Sequence, residues 1–168
     1  GSKYHNIYVD NSSDINLNII NSELIGSKNN HGIYTTSSEY TTITIDNSKV
    51  NDGYQSGIYM ASNYDTLYVN NSDVSNNGDV GIYSSNTNKK VEITNSTINN
   101  NDNYGIYFSG SYVPISISGS QVSGNSSDGI YTGSYSPLTV ENSMIVDNNS
   151  YGIGTGGSYS PINIDWTL

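Results

Sequence analysis

The chain has 168 residues, of which 33% are hydrophobic and 12% are charged, and its formal net charge is −10. So acidic a surface repels phosphate groups, which argues against binding to nucleic acids or to anionic membranes. The chain contains no cysteine, which excludes a disulfide framework and a thiolate metal site. No apolar run reaches the length of a membrane span, so we predict no membrane insertion.

The first 16 residues look irregular. Gly1-Ser2 is typical of a remnant of cloning, and one strand-like stretch, Ile7-Tyr8-Val9, is followed by Asn11-Ser12. This stretch lies out of register with the later pattern and is predicted to form a partial cap. We therefore divide the chain into an irregular N-terminal segment, residues 1–16, and one repeat domain, residues 17–168.

A repeat of about 24 residues follows, marked by the tripeptide Gly-Ile-Tyr. The tripeptide begins at Gly32, Gly57, Gly81, Gly105 and Gly129, and an altered copy begins at Gly152. A second marker, mostly Asn-Ser, keeps the same period. Alternating aliphatic pairs mark each unit at Leu17/Ile19, Ile43/Ile45, Leu67/Val69, Val91/Ile93, Ile115/Ile117, Leu138/Val140 and Ile162/Ile164.

The apolar period within each unit is two, and the apolar residues are mostly β-branched, which indicates β-strands. Three short strands per unit suit a coil in which each strand pairs in parallel with the same strand of the next coil. We predict an all-β parallel β-helix of about six to seven coils of about 24 residues. Trp166 is predicted to cover the core at the C-terminal end, and open coil ends favour self-association.

Asparagines recur four residues before several of the repeat glycines, at Asn77, Asn101, Asn125 and Asn148. Aligned on successive coils, they are predicted to form an inward ladder in which each side-chain amide bonds to the next coil.

The pattern Ile-x-Ile-x-Asn-Ser-x-Ile, a turn, and then Gly-Ile-Tyr resembles the right-handed parallel β-helix repeats of the pectate-lyase-like superfamily. The resemblance covers about residues 17–164 and implies a right-handed coil. Proteins with this resemblance include polysaccharide lyases, glycoside hydrolases, phage tailspikes and surface or adhesin-like proteins. Fold alone does not choose among these functions.

The residues speak against the enzymes of that superfamily. The lyases are expected to use an arginine base, and this chain has no arginine. The sequence motifs expected of the hydrolases are also absent, and Asn86-Thr87-Asn88 is the segment most similar to one of them. Glu141 and Asp165 should lie on neighbouring coils, where they could couple or share a cation, although two solvated surface charges are the preferred interpretation. His5 and His31 are interpreted as surface residues. We predict no catalytic residue, no metal site and no cofactor.

Tyrosine is the unusual feature, with 16 residues against one phenylalanine and one tryptophan. Strand alternation should turn the tyrosines outward, where stacked rings stabilise a parallel sheet and can also bind a ligand. One column comprises Tyr34, Tyr59, Tyr83, Tyr107 and Tyr131; a second, interrupted at Asn88, comprises Tyr40, Tyr64, Tyr112, Tyr135 and Tyr159.

These features favour a non-catalytic extracellular or cell-surface module, structural or adhesin-like, with glycans or cell-surface proteins as its partners. The tyrosine columns are the predicted ligand-binding residues. The alternative is a carbohydrate-active enzyme, a polysaccharide lyase or hydrolase, or a fragment of one.

Overall fold

The computed structural model describes residues 1–10, 13–87 and 89–166 of the chain. Asn11, Ser12 and Asn88, which belong to the sequence patterns above, lie outside these ranges. The strands are β1 (Ile7–Asp10), β2 (Asn16–Ile20), β3 (Glu23–Ile25), β4 (Ile33–Glu39), β5 (Thr42–Asp46), β6 (Lys49–Asn51), β7 (Ile58–Asn63), β8 (Thr66–Asn70), β9 (Ile82–Ser84), β10 (Lys90–Thr94), β11 (Thr97–Asn99), β12 (Ile106–Phe108), β13 (Ile115–Ser118), β14 (Gln121–Ser123), β15 (Ile130–Thr132), β16 (Leu138–Glu141), β17 (Met144–Val146), β18 (Ile153–Thr155) and β19 (Ile162–Asp165).

The strands form the three faces of a parallel β-solenoid of about six coils. The first face is a 7-stranded sheet in the order β1-β4-β7-β9-β12-β15-β18, and the second is a 7-stranded sheet in the order β2-β5-β8-β10-β13-β16-β19. The third face consists of the pair β3-β6 and the sheet β11-β14-β17, joined through bridges from Asp73 to Lys49 and Thr97. The predicted all-β architecture and its period of about 24 residues are confirmed.

The N-terminal segment joins the first face in register, so the predicted out-of-register position of Ile7-Tyr8-Val9 is wrong. Ile7 pairs with Ile33 and Tyr8 with Tyr34, as a further copy of the Gly-Ile-Tyr strand. Two features hide this copy in the sequence. Asn6 stands in the place of the repeat glycine, and equivalent residues of the first two coils are 26 positions apart, as in the contact between Asn47 and Asn21.

The core is one continuous set of aliphatic columns. Buried residues include Ile33, Ile58, Ile82 and Ile106 of the first face. At the C-terminal end Ile164 is 64% exposed and Trp166 57% exposed. Trp166 instead lines a surface depression with Met144 and Asn142, so the prediction that it covers the core is wrong.

The predicted asparagine ladder is confirmed. Asn77 donates its side-chain amide to Oδ1 of Asn101 at 3.0 Å, and Asn125 donates to Oδ1 of Asn148 at 2.8 Å. The Asn-Ser marker has a related role. Asn71 adopts φ +48°, which turns the chain between faces, and the backbone amide of Ser72 donates to Oγ of Ser96 at 3.0 Å. Ladders of polar side chains therefore provide hydrogen-bond partners for backbone groups at the corners, where the aliphatic columns provide none.

Across the ranges that the structure describes, no helix is long and apolar enough to cross a membrane.

Candidate functional site

A row of exposed tyrosines runs along the corner between the first and second faces of the solenoid. We call it the corner ladder, and it comprises Tyr40, Tyr64, Tyr112, Tyr135 and Tyr159. These side chains are 43% to 79% exposed. The rings of Tyr112 and Tyr135 lie 5.0 Å apart with an interplanar angle of 11°, and those of Tyr135 and Tyr159 lie 5.6 Å apart. The ladder is thus an ordered, solvent-facing row.

The backbone of the corner ladder explains its exposure. Each of these tyrosines has a positive φ, between +53° and +60°, a left-handed conformation that turns the chain sharply. Hydrogen bonds between coils hold that turn, as when the backbone amide of Tyr135 donates to the carbonyl of Ser158 at 2.9 Å. In the last three coils a proline follows two residues later, at Pro114, Pro137 and Pro161, where its restricted φ favours the extended entry into the next strand.

The second tyrosine column lies on the first face. We call it the sheet ladder, and it comprises Tyr34, Tyr59, Tyr83, Tyr107 and Tyr131. Its side chains are half-buried, and its rings stack at centroid distances of 4.5 Å to 5.5 Å. Tyr8 extends the stack by one coil beyond Tyr34. Because its side chains are half-buried, whereas those of the corner ladder are exposed, the sheet ladder offers a ligand less surface than the corner ladder does.

Ring stacking determines what the corner ladder can present to a ligand. Within each stacked run the ring faces point along the solenoid axis toward the next tyrosine. A ligand lying along the ladder therefore meets ring edges and phenolic hydroxyls, and ring faces are open only where a run ends. Edges carry partial positive charge and hydroxyls both donate and accept hydrogen bonds, so the surface suits a hydroxyl-rich ligand.

The histidines lie beside the sheet ladder. Both are partly buried, and so are less exposed than the sequence pattern predicts. His5 stacks on His31 at 5.6 Å and on Tyr34 at 4.9 Å. Nδ1 of His31 accepts a hydrogen bond from the backbone amide of Ser56 at 3.1 Å. Burial, with a smaller contribution from His5, lowers the pKa of His31 to about 4. His31 is therefore a neutral packing residue at neutral pH.

The carboxylates fall into two groups that could bear on catalysis or metal binding. Glu141 and Asp165 are register partners on neighbouring coils, as predicted, and both are exposed. Asp52, Asp79 and Asp102 line a shallow depression on another side. Among the described residues, no group of three or more histidine, aspartate or glutamate side chains is arranged to hold a metal ion.

An ion pair inside the coil escaped the sequence analysis. Lys89 and Asp65 are fully buried, with Nζ 3.5 Å from Oδ2. The sequence signals this pair only through its place in the repeat. Each of the two residues directly follows a corner-ladder position, and the residues at the same place in other coils, Thr41, Val113 and Ser136, are buried. A charged residue at an inward position is read as exposed unless the repeat is aligned residue by residue.

Three faces of parallel strands, repeated coil upon coil, define a solenoid repeat protein. A family model described as the right handed beta helix region matches residues 1–143 and, in a second match, residues 89–165. The chain belongs to this family, and its coil is right-handed. Comparison with curated proteins gives no significant match, and neither does comparison with solved structures.

Proposed function

We propose that this chain is a non-catalytic extracellular or cell-surface module, structural or adhesin-like, that binds glycans or partner proteins along its corner ladder. The observation that carries the proposal is the ordered exposure of Tyr112, Tyr135 and Tyr159 on three successive coils. Tyrosine offers contact area and a hydroxyl at low cost in side-chain entropy, which suits recognition. A rod held by hydrogen bonds between coils also suits a stalk.

Charge narrows the ligand class. With a net charge of −10, the module repels polyanions and should prefer neutral glycans to uronic-acid or sulfated ones. The row of hydroxyls repeats once per coil, so an extended polysaccharide lying along the axis can contact several tyrosines at once. Several weak contacts of this kind add up through effective concentration.

The proposal is tested by binding to an array of neutral and acidic polysaccharides and to intact cells. In the test variant Tyr112, Tyr135 and Tyr159 are replaced by asparagine, which tolerates positive φ and already occupies the equivalent position 88. Binding to neutral glycans should weaken at least about tenfold. The matched control carries the same replacement at Tyr54 and Tyr151, which are 65% and 70% exposed and lie outside the ladder. This control should bind like the parent.

Equal binding by parent and test variant would remove the corner ladder as the site. Parent protein that binds neither the array nor cells would overturn the binding role as a whole. Turnover of a polysaccharide that disappears in the double variant Glu141→Gln, Asp165→Asn would favour the alternative, a carbohydrate-active enzyme acting through that register pair.

A further inference from the structure

The interior of the solenoid contains a lysine and an aspartate in contact, both of them buried. Lys89 and Asp65 occupy the same inward position on neighbouring coils, and both side chains are fully shielded from solvent. The backbone amide of Lys90 donates to the carbonyl of Asp65 at 3.1 Å, so the sheet itself holds the two residues together. Nζ of Lys89 lies 3.5 Å from Oδ2 of Asp65.

The carboxyl group of Asp65 is held by donors at both oxygens. Oδ1 accepts from the backbone amide of Thr41 at 3.1 Å, and Oδ2 accepts from Oγ1 of Thr35 at 3.2 Å. When a nucleophile adds to Cγ, negative charge develops on the oxygen that stays, and the Thr41 amide is placed to stabilise it on Oδ1. The Thr35 hydroxyl holds Oδ2, the other carboxyl oxygen. Nζ of Lys89 also contacts the carbonyl oxygen of Ser62, which orients the amine.

Burial drives both groups toward their neutral forms. Desolvation lowers the pKa of Lys89 to about 8, against the opposing attraction of Asp65. Desolvation likewise raises the pKa of Asp65 above its ordinary value, against the attraction of Lys89. Proton transfer within the pair gives a neutral amine, which is a nucleophile, next to a carboxylic acid, which is its electrophile.

We propose that Lys89 and Asp65 condense to form an isopeptide bond that joins neighbouring coils. The Nζ lone pair attacks Cγ of Asp65, the Nζ–Cγ bond forms, and the Cγ–Oδ2 bond breaks. The departing oxygen leaves as water, taking the carboxylic acid proton and one proton from the amine. No oxidant, reductant or cofactor is needed, and the fixed geometry replaces the encounter of two separate reactants.

Such a bond would have a clear use in this chain. It contains no cysteine, so a covalent staple cannot be a disulfide. Closing the chain from residue 65 to residue 89 would restrict the unfolded ensemble as a disulfide does. It would also replace a buried ion pair, whose desolvation is expensive, by an uncharged amide.

Intact-mass spectrometry of the denatured full chain tests the proposal. The expected mass is that of the sequence less one water molecule, and the full sequence mass would overturn the proposal. Chymotrypsin, which cuts after tyrosines such as Tyr68 and Tyr83 between the two residues, should then release a branched peptide containing both Asp65 and Lys89. Linear peptides carrying unmodified Asp65 and Lys89 would equally overturn it.

Two variants localise the loss of water. Lys89→Met removes the nucleophile at similar volume and should restore the full sequence mass. Lys90→Met alters the neighbouring lysine, whose side chain is 51% exposed, and should keep the loss. Asp52-Gly53 and Asp128-Gly129 can also lose water by cyclising to succinimides, so a loss that persists in Lys89→Met would overturn the assignment to Lys89.

Discussion

Asn101 donates its side-chain amide to Oδ1 of Asn125 at 2.9 Å, directly across one coil of the solenoid. The backbone amide of Asn101 donates to the same oxygen at 3.1 Å, and Oδ1 of Asn101 accepts both donors of Asn77 in turn. The asparagines are fully buried, so each serves as the hydrogen-bond partner that water would otherwise provide. The ladder is therefore a structural element of the loops that precede Gly81, Gly105, Gly129 and Gly152.

Replacing Asn101 by alanine should destabilise the protein by about 3 kcal/mol, because the buried donors of Asn77 lose their acceptor. Urea unfolding followed by circular dichroism measures this cost. Asn149 is the matched control: it is exposed and its side-chain amide donates to the carbonyl of Ser126 at the long distance of 3.4 Å, so Asn149→Ala should cost less than about 0.5 kcal/mol. Equal costs for the two variants would contradict the ladder's structural role.

The repeat glycine is required by crowding. A Cβ at Gly105 would lie 2.6 Å from the carbonyl oxygen of Gly129, 2.7 Å from Nδ2 of Asn125 and 2.8 Å from Cγ1 of Val122. Gly105→Ala should therefore cost about 1–3 kcal/mol through forced displacement of the next coil. Gly152 holds the same repeat position, but its Cβ would meet nothing closer than 3.4 Å.

Gly152→Ala is thus the internal control for Gly105→Ala. Its melting temperature, measured by thermal unfolding, should be close to that of the parent. A similar loss of stability in both variants would indicate that glycine is needed for its own conformation rather than for contact between coils.

The sheet ladder should contribute to stability more than to binding. Tyr83 stacks between Tyr59, at 4.5 Å, and Tyr107, at 5.5 Å. Tyr83→Ala removes both ring contacts and should cost about 2–3 kcal/mol. Tyr54→Ala, at a site 65% exposed, should be nearly neutral. Urea unfolding of the two variants measures the difference in stability. No loss of stability in Tyr83→Ala would show that ring stacking at this spacing contributes little.

The repeat pattern predicts the inward columns well. Side-chain alternation along each strand and the period of about 24 residues together assign each aliphatic residue to one column of the core. It predicts the tyrosine corner poorly. Tyrosine rarely adopts positive φ, so nothing in the residue type signalled the left-handed turn at Tyr64 or Tyr135. The first coil was hidden because Asn6 replaces glycine, and Lys89 was hidden because lysine is ordinarily assigned to the surface.

The partial burial of His31 predicts acid sensitivity of the first coils. Its pKa lies near 4 in the folded chain and near the ordinary value of 6.5 in the unfolded chain, so between these values the unfolded state binds more protons. Stability contributed by the neutral ring is therefore fully present above about pH 6.5 and declines as the pH falls toward about 4. Neighbouring His5 opposes protonation further, while Asp79 favours it and offsets part of the loss.

Melting temperatures at about pH 7 and about pH 5, taken for the parent and for His31→Gln, isolate this contribution. The variant loses the acceptor for the Ser56 amide and should melt lower at pH 7, yet its melting temperature should fall less between the two pH values. The other carboxylates titrate in both proteins, so the difference between the two pH dependences reports His31 together with its coupling to His5 and Asp79. Parallel pH dependences would mean that His31 is protonated in the folded protein as easily as in the unfolded chain, which the hydrogen bond at Nδ1 argues against.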